Sequence, residues 1–397
     1  MCPTTTAGEQ TVSDSTRYKT LVVLPNDPLE RYAAKGEVKA RYLNPGDFFD
    51  RVHVISLAAT DDGTEAARVM TGRAEVRIHP VGRPGPLNFS RATGRARQLV
   101  SEIKPHVVRG FNPLLMGWLA VKLARHCGAS SVVSVHADYH LWRNLRIHGP
   151  RFLFSALGMN RTSLGGADHV ICAYRFPVEH VRRWRQDGIS VIYNRVDLAR
   201  FQPGTSQAEA GNGPLRILTV GRQFEGKDPE PLLRAVAAFG DSELTLVGDG
   251  PRHERLRELA RSLEIGQRVV FIPRVEHENL PELYRNHDVF AINITHPGVC
   301  IPVLEAAASG LPVVINRPLW EPEPEVVGEL AEIVEADAES YAAAFQRLYS
   351  DPDFRALRGK QLRDRVAQID AAATEGQETE IYRQLYERCS AKRADRG

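Results

Sequence analysis

At 397 residues, with 43% hydrophobic and 25% charged residues, the chain has the make-up of a folded protein of about two domains, which excludes a disordered or fibrous one. Its five cysteines (Cys2, Cys127, Cys172, Cys300, Cys389) are scattered and form no CxxC pair, which argues against a disulfide framework and a zinc site. The formal net charge of +2 hides an asymmetry: residues 1–200 hold 28 Lys and Arg against 17 Asp and Glu, and the remainder 23 against 32, so the basic half either faces an anionic acceptor or membrane surface or is simply a solvated face.

Residues 1–17 are polar and lack the apolar stretch of a secretory signal, so a flexible tail and a cytoplasmic location are expected. Short β-branched runs then alternate with amphipathic stretches, and Leu21–Pro25, Val52–Leu57, Val76–Val81, Val107–Gly110, Ser131–His136, His169–Ala173 and Val191–Tyr193 read as strands. Such alternation predicts a doubly wound parallel sheet. After a linker rich in Gly, Pro, Ser and Ala the pattern restarts, with strands at Leu215–Val220, Leu244–Val247, Val269–Ile272, Val289–Ile292 and Pro312–Ile315. Leu256, Leu259, Ala260 and Leu263 mark one helix face. Ile381, Leu385 and Cys389, beside Tyr382 and Tyr386, mark a last helix. The most apolar segments, Phe111–Leu123 and Val289–Leu304, are short or interrupted by Lys122, Asn293, His296, Pro297 and Pro302, so neither spans a bilayer.

Three segments carry chemistry. Gly221-Arg-Gln-Phe-Glu-Gly-Lys227 follows a predicted strand and nearly matches a P-loop, but Asp228 stands where Ser or Thr would hold magnesium, and Pro229 starts a new helix. Arg222 and Lys227 nevertheless share one loop at a strand's C-terminal end, where open α/β sheets bind ligands and where two cations suit a diphosphate. In Gly248-Asp-Gly250 the third glycine of a dinucleotide fingerprint falls on His253, which disfavours a nicotinamide enzyme and leaves a tight turn into a helix beginning near Pro251. From Pro297 to Val314, Pro302 suits a helix's first turn, and Gly310 and Pro312 supply its stop. The N-terminus of that helix would attract phosphate. Glu305, in or just after the first turn, either accepts hydrogen bonds from the two hydroxyls of a ribose or only complements the helix dipole. Asp351-Pro-Asp353 has no strand before it and reads as a turn that caps the next helix, not as a metal-binding DxD.

From about Tyr18 to Tyr386 the sequence resembles the group 1 (family 4) retaining glycosyltransferases. The matching pieces occur in the family's order: Ser134-Val-His136; Val191-Ile-Tyr-Asn-Arg-Val-Asp197 with Phe201 and Pro203; Val220-Gly-Arg222 with Gly226-Lys227; Leu246-Val-Gly-Asp-Gly-Pro251; Arg268-Val-Val-Phe271 with Leu280-Pro-Glu-Leu-Tyr284; and Leu304-Glu-Ala with Gly310-Leu-Pro-Val-Val314. The resemblance implies a glycosyltransferase B-type fold, α/β, of two facing Rossmann-like domains with a cleft between them. Residues 18–200 would form the acceptor-side domain, 201–213 the linker and 214–372 the nucleotide-sugar domain. Residues 373–397 would form a helix packing back across the cleft.

The same resemblance implies a retaining, metal-independent transfer from a nucleoside-diphosphate sugar, with UDP as the default nucleotide and no cofactor. Arg222 and Lys227 would bind and stabilise the diphosphate. Backbone amides of Gly298, Val299, Cys300 and Ile301 would meet the phosphates, and Glu305 the ribose. His136 would act near the transferred sugar. The family's second glutamate, eight residues before Glu305, is replaced by Pro297, so recognition of the donor sugar is altered or activity is lost. The acceptor is a small molecule, a glycan or a lipid-linked group, and no nucleic acid is expected. The stretch from Tyr139 to Phe154, with Trp142, Arg143, Arg146, His148 and Arg151, either borders the acceptor or forms a surface helix. A catalytically inactive nucleotide-sugar-binding protein and a non-hydrolysing epimerase of similar fold are the competing readings, although no ordered set of acid/base motifs supports the epimerase.

Overall fold

The computed structural model describes residues 18–35, 37–85, 88–137, 158–204, 213–295, 298–319 and 323–395, so the expected tail, the 205–212 part of the linker, and residues 139–154 fall outside it. The chain builds two parallel sheets. The first contains β1 (Thr20–Leu24), β2 (Arg51–Ser56), β3 (Glu75–Pro80), β4 (Val107–Gly110), β5 (Ser130–Val135), β6 (His169–Cys172) and β7 (Ile189–Val191), in the order β3-β2-β1-β4-β5-β6-β7. The second contains β8 (Leu215–Val220), β9 (Ser242–Val247), β10 (Val269–Ile272), β11 (Val289–Ile292), β12 (Val313–Asn316) and β13 (Glu332–Val334), in the order β10-β9-β8-β11-β12-β13. β1 pairs in parallel with β2 and β4, and β8 with β9 and β11.

The central strands are mostly apolar because helices cover both faces, and β1 and β11 are buried at every position. Neighbouring residues of one strand therefore enter different cores. Leu218 joins Phe290, Val303, Leu304 and Val313 on one face of the second sheet, while Ile217 joins Leu232, Leu256, Tyr341 and Phe345 on the other. In the first sheet, Val22, Leu24, Ile55 and Val108 pack against Val100, Leu119 and Leu123 of the helices Phe89–Ile103 and Leu115–Cys127. Asp351 accepts a hydrogen bond from the Phe354 amide at 2.9 Å and caps the helix Pro352–Val366, as its sequence context predicts.

By contacts, the described residues of 18–134, 158–170 and 378–395 form one compact unit, and those of 135–137 and 171–377 a second. The helix Ala371–Ala394 thus contributes residues to both. Within the first unit its buried Tyr382, Leu385 and Cys389 supply apolar area, and Glu378 pairs with Arg109 of β4. Arg109 also donates to Ser134 Oγ at 3.0 Å and to Tyr382 Oη at 2.7 Å, and it lies over the Phe111 ring at 4.2 Å. Burial opposes a charge there, but the Glu378 carboxylate outweighs it and strengthens the guanidinium's hold on its proton.

Removing one partner of such a pair strands the other in the core. Glu378→Ala is expected to cost about 3–5 kcal/mol in urea unfolding, and Arg109→Met combined with Glu378→Met to recover much of that loss.

Candidate functional site

In the second sheet the chain runs from β8 outward to β9 and β10, then returns to β11 on the other side of β8. The loops leaving β8 and β11 therefore diverge, and a crevice opens at the carboxyl ends of those strands. β8 feeds Gly221, Arg222 and Gln223 and then a tight turn, in which Phe224 and Lys227 exchange backbone hydrogen bonds of 3.3 and 2.9 Å. The turn doubles Lys227 back over the loop's start, so its Nζ lies 3.9 Å from where a Cβ on Gly221 would be. Arg222 and Lys227 line one small cavity together with Gly221, Gln223 and Asn293. The structure thus brings the two predicted cations together.

The loop after β9 holds this arrangement in place. The Gly221 amide donates to Val247 O and the Gln223 amide to Asp249 O, both at 2.9 Å. The Gln223 side chain donates to Gly248 O at 2.6 Å and meets His253 Nδ1 through its Oε1 at 2.9 Å. A Cβ on Gly248 would come within 2.1 Å of Gly221 O, and one on Gly250 within 2.2 Å of Gln223 O. Gly248-Asp-Gly250 is thus a turn before the helix His253–Ser262, as predicted, and also the wall against which the Arg222 loop rests. Gln223 and His253 carry no motif signal, and only the contact reveals them. Asp228, which spoils the P-loop, accepts from the Glu230 amide at 3.2 Å at the start of the helix Glu230–Ala238 and pairs with Arg252.

On the other side of the crevice, Thr295 donates from its amide to Gly226 O and from its hydroxyl to Glu225 O, each at 3.1 Å, and Asn293 Nδ2 donates to Asp228 O at 3.0 Å. Asn316 of β12 braces this strip through two bonds of 2.7 Å to the Ile294 backbone. The chain then passes Gly298, whose φ of 150° suits glycine, and enters the helix Ile301–Ala308 with Cys300 as N-cap. The Cys300 side chain makes no capping hydrogen bond there, and Pro302 supplies no amide hydrogen to it. Gly298, Val299, Cys300 and Ile301 thus lead into an N-terminus suited to an anion.

Glu305 lies in the second turn, not the first, and is only 3% exposed. Its Oε1 is 3.0 Å from His277 Nε2, and its Oε2 accepts from the Tyr284 hydroxyl at 3.1 Å. Burial, and next the Glu305 charge, push the Tyr284 hydroxyl well above its usual range, so it remains a donor. His136 directly follows β5 of the first sheet, and by contacts it falls in the same compact unit as Arg222, Lys227 and Glu305. His296 and Pro297 lie outside the described residues.

Gly248→Ala forces a Cβ into Gly221 O at a φ of 130°. It should lower unfolding stability by about 1–3 kcal/mol, whereas Gly240→Ala, whose added Cβ meets nothing within 4 Å, serves as the control.

The family described as glycosyl transferases group 1 matches residues 205–365, and glycosyltransferase family 4 matches residues 49–200. The D-inositol 3-phosphate glycosyltransferase of Corynebacterium kroppenstedtii is 30% identical over 254 residues, 58% of this chain and 54% of that protein. The GDP-mannose-dependent alpha-(1-6)-phosphatidylinositol monomannoside mannosyltransferase of Mycolicibacterium smegmatis is 30% identical over 262 residues, 60% of this chain and 65% of that protein. The chain therefore matches between half and two thirds of the length of these relatives. Among solved structures, sucrose-phosphate synthase from Thermosynechococcus elongatus superposes with a TM-score of 0.73 at 18% identity, covering 93% of this chain and 99% of that one. Anabaena HepE in complex with UDP superposes with a TM-score of 0.72 at 15% identity, covering 92% and 100%. With both halves matched in order and two Rossmann-like domains of the glycosyltransferase B type, the chain belongs to the group 1 (family 4) glycosyltransferases.

Proposed function

We propose that this chain is a retaining, metal-independent glycosyltransferase that moves a sugar from a nucleoside-diphosphate sugar to an acceptor hydroxyl. The observation that carries the proposal is the joining of the Arg222 and Lys227 loop, through Thr295 and Asn293, to the strip that leads into the Ile301–Ala308 helix. As the bond between the anomeric carbon and the phosphate oxygen breaks, the electron pair leaves with the diphosphate, the acceptor oxygen bonds the anomeric carbon, and the hydroxyl proton passes to the departing diphosphate or to solvent. Arg222, Lys227 and the amides around Gly298 to Ile301 stabilise the charge that develops there, and being preorganised they need little rearrangement to do so. Glu305 holds the ribose hydroxyls. His136 positions the transferred sugar by hydrogen bonding.

The nucleotide is UDP in this reading, supported by the UDP and UDP-glucose complexes of HepE, although the M. smegmatis relative is named for GDP-mannose. Pro297 offers the donor sugar only a carbonyl, so a deoxy or otherwise modified sugar, or a hydroxylated one held by His296 and Thr295, is the donor class. The acceptor is a small molecule, a glycan or a lipid-linked group, and the basic N-terminal half favours an anionic one or contact with a membrane surface. No helix among the described residues is long and apolar enough to cross a membrane.

Lys227→Ala and Arg222→Ala should each lower turnover about 10²–10³-fold with little change in melting temperature. Wild-type rates in both variants would place the diphosphate elsewhere. Turnover should persist in excess chelator, because the two side chains and the helix N-terminus supply the charge a metal would bring. NMR of the product should show the donor's anomeric configuration retained. Loss of activity in chelator that magnesium or manganese restores, or an inverted linkage, would overturn the proposed mechanism.

A further inference from the structure

One short segment supplies both side-chain donors to Glu305. His277 opens the 3₁₀ turn His277–Asn279, and Tyr284 follows in the helix Leu280–Arg285. Phe201 sets its ring against both, with centroids 5.9 Å from His277 and 5.7 Å from Tyr284, and so limits their movement. Tyr284 is fully buried, whereas His277 keeps 18% of its side chain exposed. His277 is thus the donor on the solvent side of the carboxylate.

An ionised carboxylate has about four lone-pair sites and accepts only. The Nε2 of His277 must therefore carry the proton in its 3.0 Å contact with Oε1, while the Tyr284 hydroxyl serves Oε2. Each oxygen keeps a lone pair, which is the number that two vicinal hydroxyls require.

We infer that His277 is a positioning residue for the nucleoside: by donating to Oε1 it fixes the plane of the Glu305 carboxylate, so that the remaining lone pairs meet the ribose hydroxyls. The inference rests on the ribose role proposed for Glu305. It also predicts a coupling that a purely structural histidine would lack, because loss of His277 should weaken only those ligands that bear ribose hydroxyls.

The test is calorimetric titration of the full chain with whichever of UDP, GDP and ADP binds tightest, and with its 2′,3′-dideoxy counterpart. Wild type should prefer the hydroxylated nucleotide by roughly 10-fold or more, as expected for hydrogen bonds to a charged group. His277→Ala should lose most of that preference while binding the dideoxy nucleotide as wild type does. His277→Gln, which retains an N–H donor, should recover part of it and also covers the case in which the alanine variant folds poorly. Full preference retained by both variants, or equal weakening for both nucleotides, would overturn the role of His277. No preference in wild type would remove the ribose role of Glu305 first and this inference with it, and no binding of any nucleotide would overturn the donor reading as a whole.

Discussion

The candidate site depends on a contact in which the glycines of one loop lie against the backbone carbonyls of another. Gly248 and Gly250 lie against the carbonyls of Gly221 and Gln223, at distances no Cβ could tolerate. The Gln223 side chain then ties the two loops together through Gly248 O and His253. Because the contact is made by backbone, it fixes where the loop after β8 runs before any long side chain is placed. Arg222 and Lys227 are flexible residues whose ordering costs entropy, and a loop pinned at three points reduces the part of that cost due to the backbone. Thr295 and Asn293 complete the pinning from the β11 side.

A second theme is the handling of carboxylates that fold into the interior. Each is surrounded by donors from a distant stretch of sequence, and each thereby joins two segments. Asp61 accepts from the Leu29 and Glu30 amides at the start of one helix. Glu375 takes Arg195 at 2.8 Å, one helical turn before Glu378 takes Arg109. Buried charge without a partner is costly, so these pairings specify which segments meet as well as how firmly.

The strands were legible because parallel strands covered on both faces are mostly apolar runs, and those expected from the sequence lie within two residues of the observed ones. β13, Glu332–Val334, was not anticipated: it is three residues long, half-buried, and begins with a charge. The loop cations and the Ile301–Ala308 helix could be placed from Gly, Pro and strand ends. His277, Tyr284 and Gln223 could not, because they act through side-chain contacts between elements 21 to 30 residues apart or more, which no periodicity encodes. Tyr284 belonged to a matched segment, yet nothing local showed that its hydroxyl would reach Glu305.

The buried ion pair of the first unit also sets an order of events in synthesis. Arg109 leaves the ribosome 269 residues before Glu378, an interval on the order of tens of seconds at ordinary elongation rates. Throughout that time β4 carries a cation destined for the interior with neither Glu378 nor Tyr382 yet made. The first sheet can assemble its apolar faces early, but it cannot close over Arg109 until the last helix has been translated. The nascent N-terminal unit therefore remains incomplete while the whole second sheet is being made, and a helix translated after that sheet completes the fold begun before it.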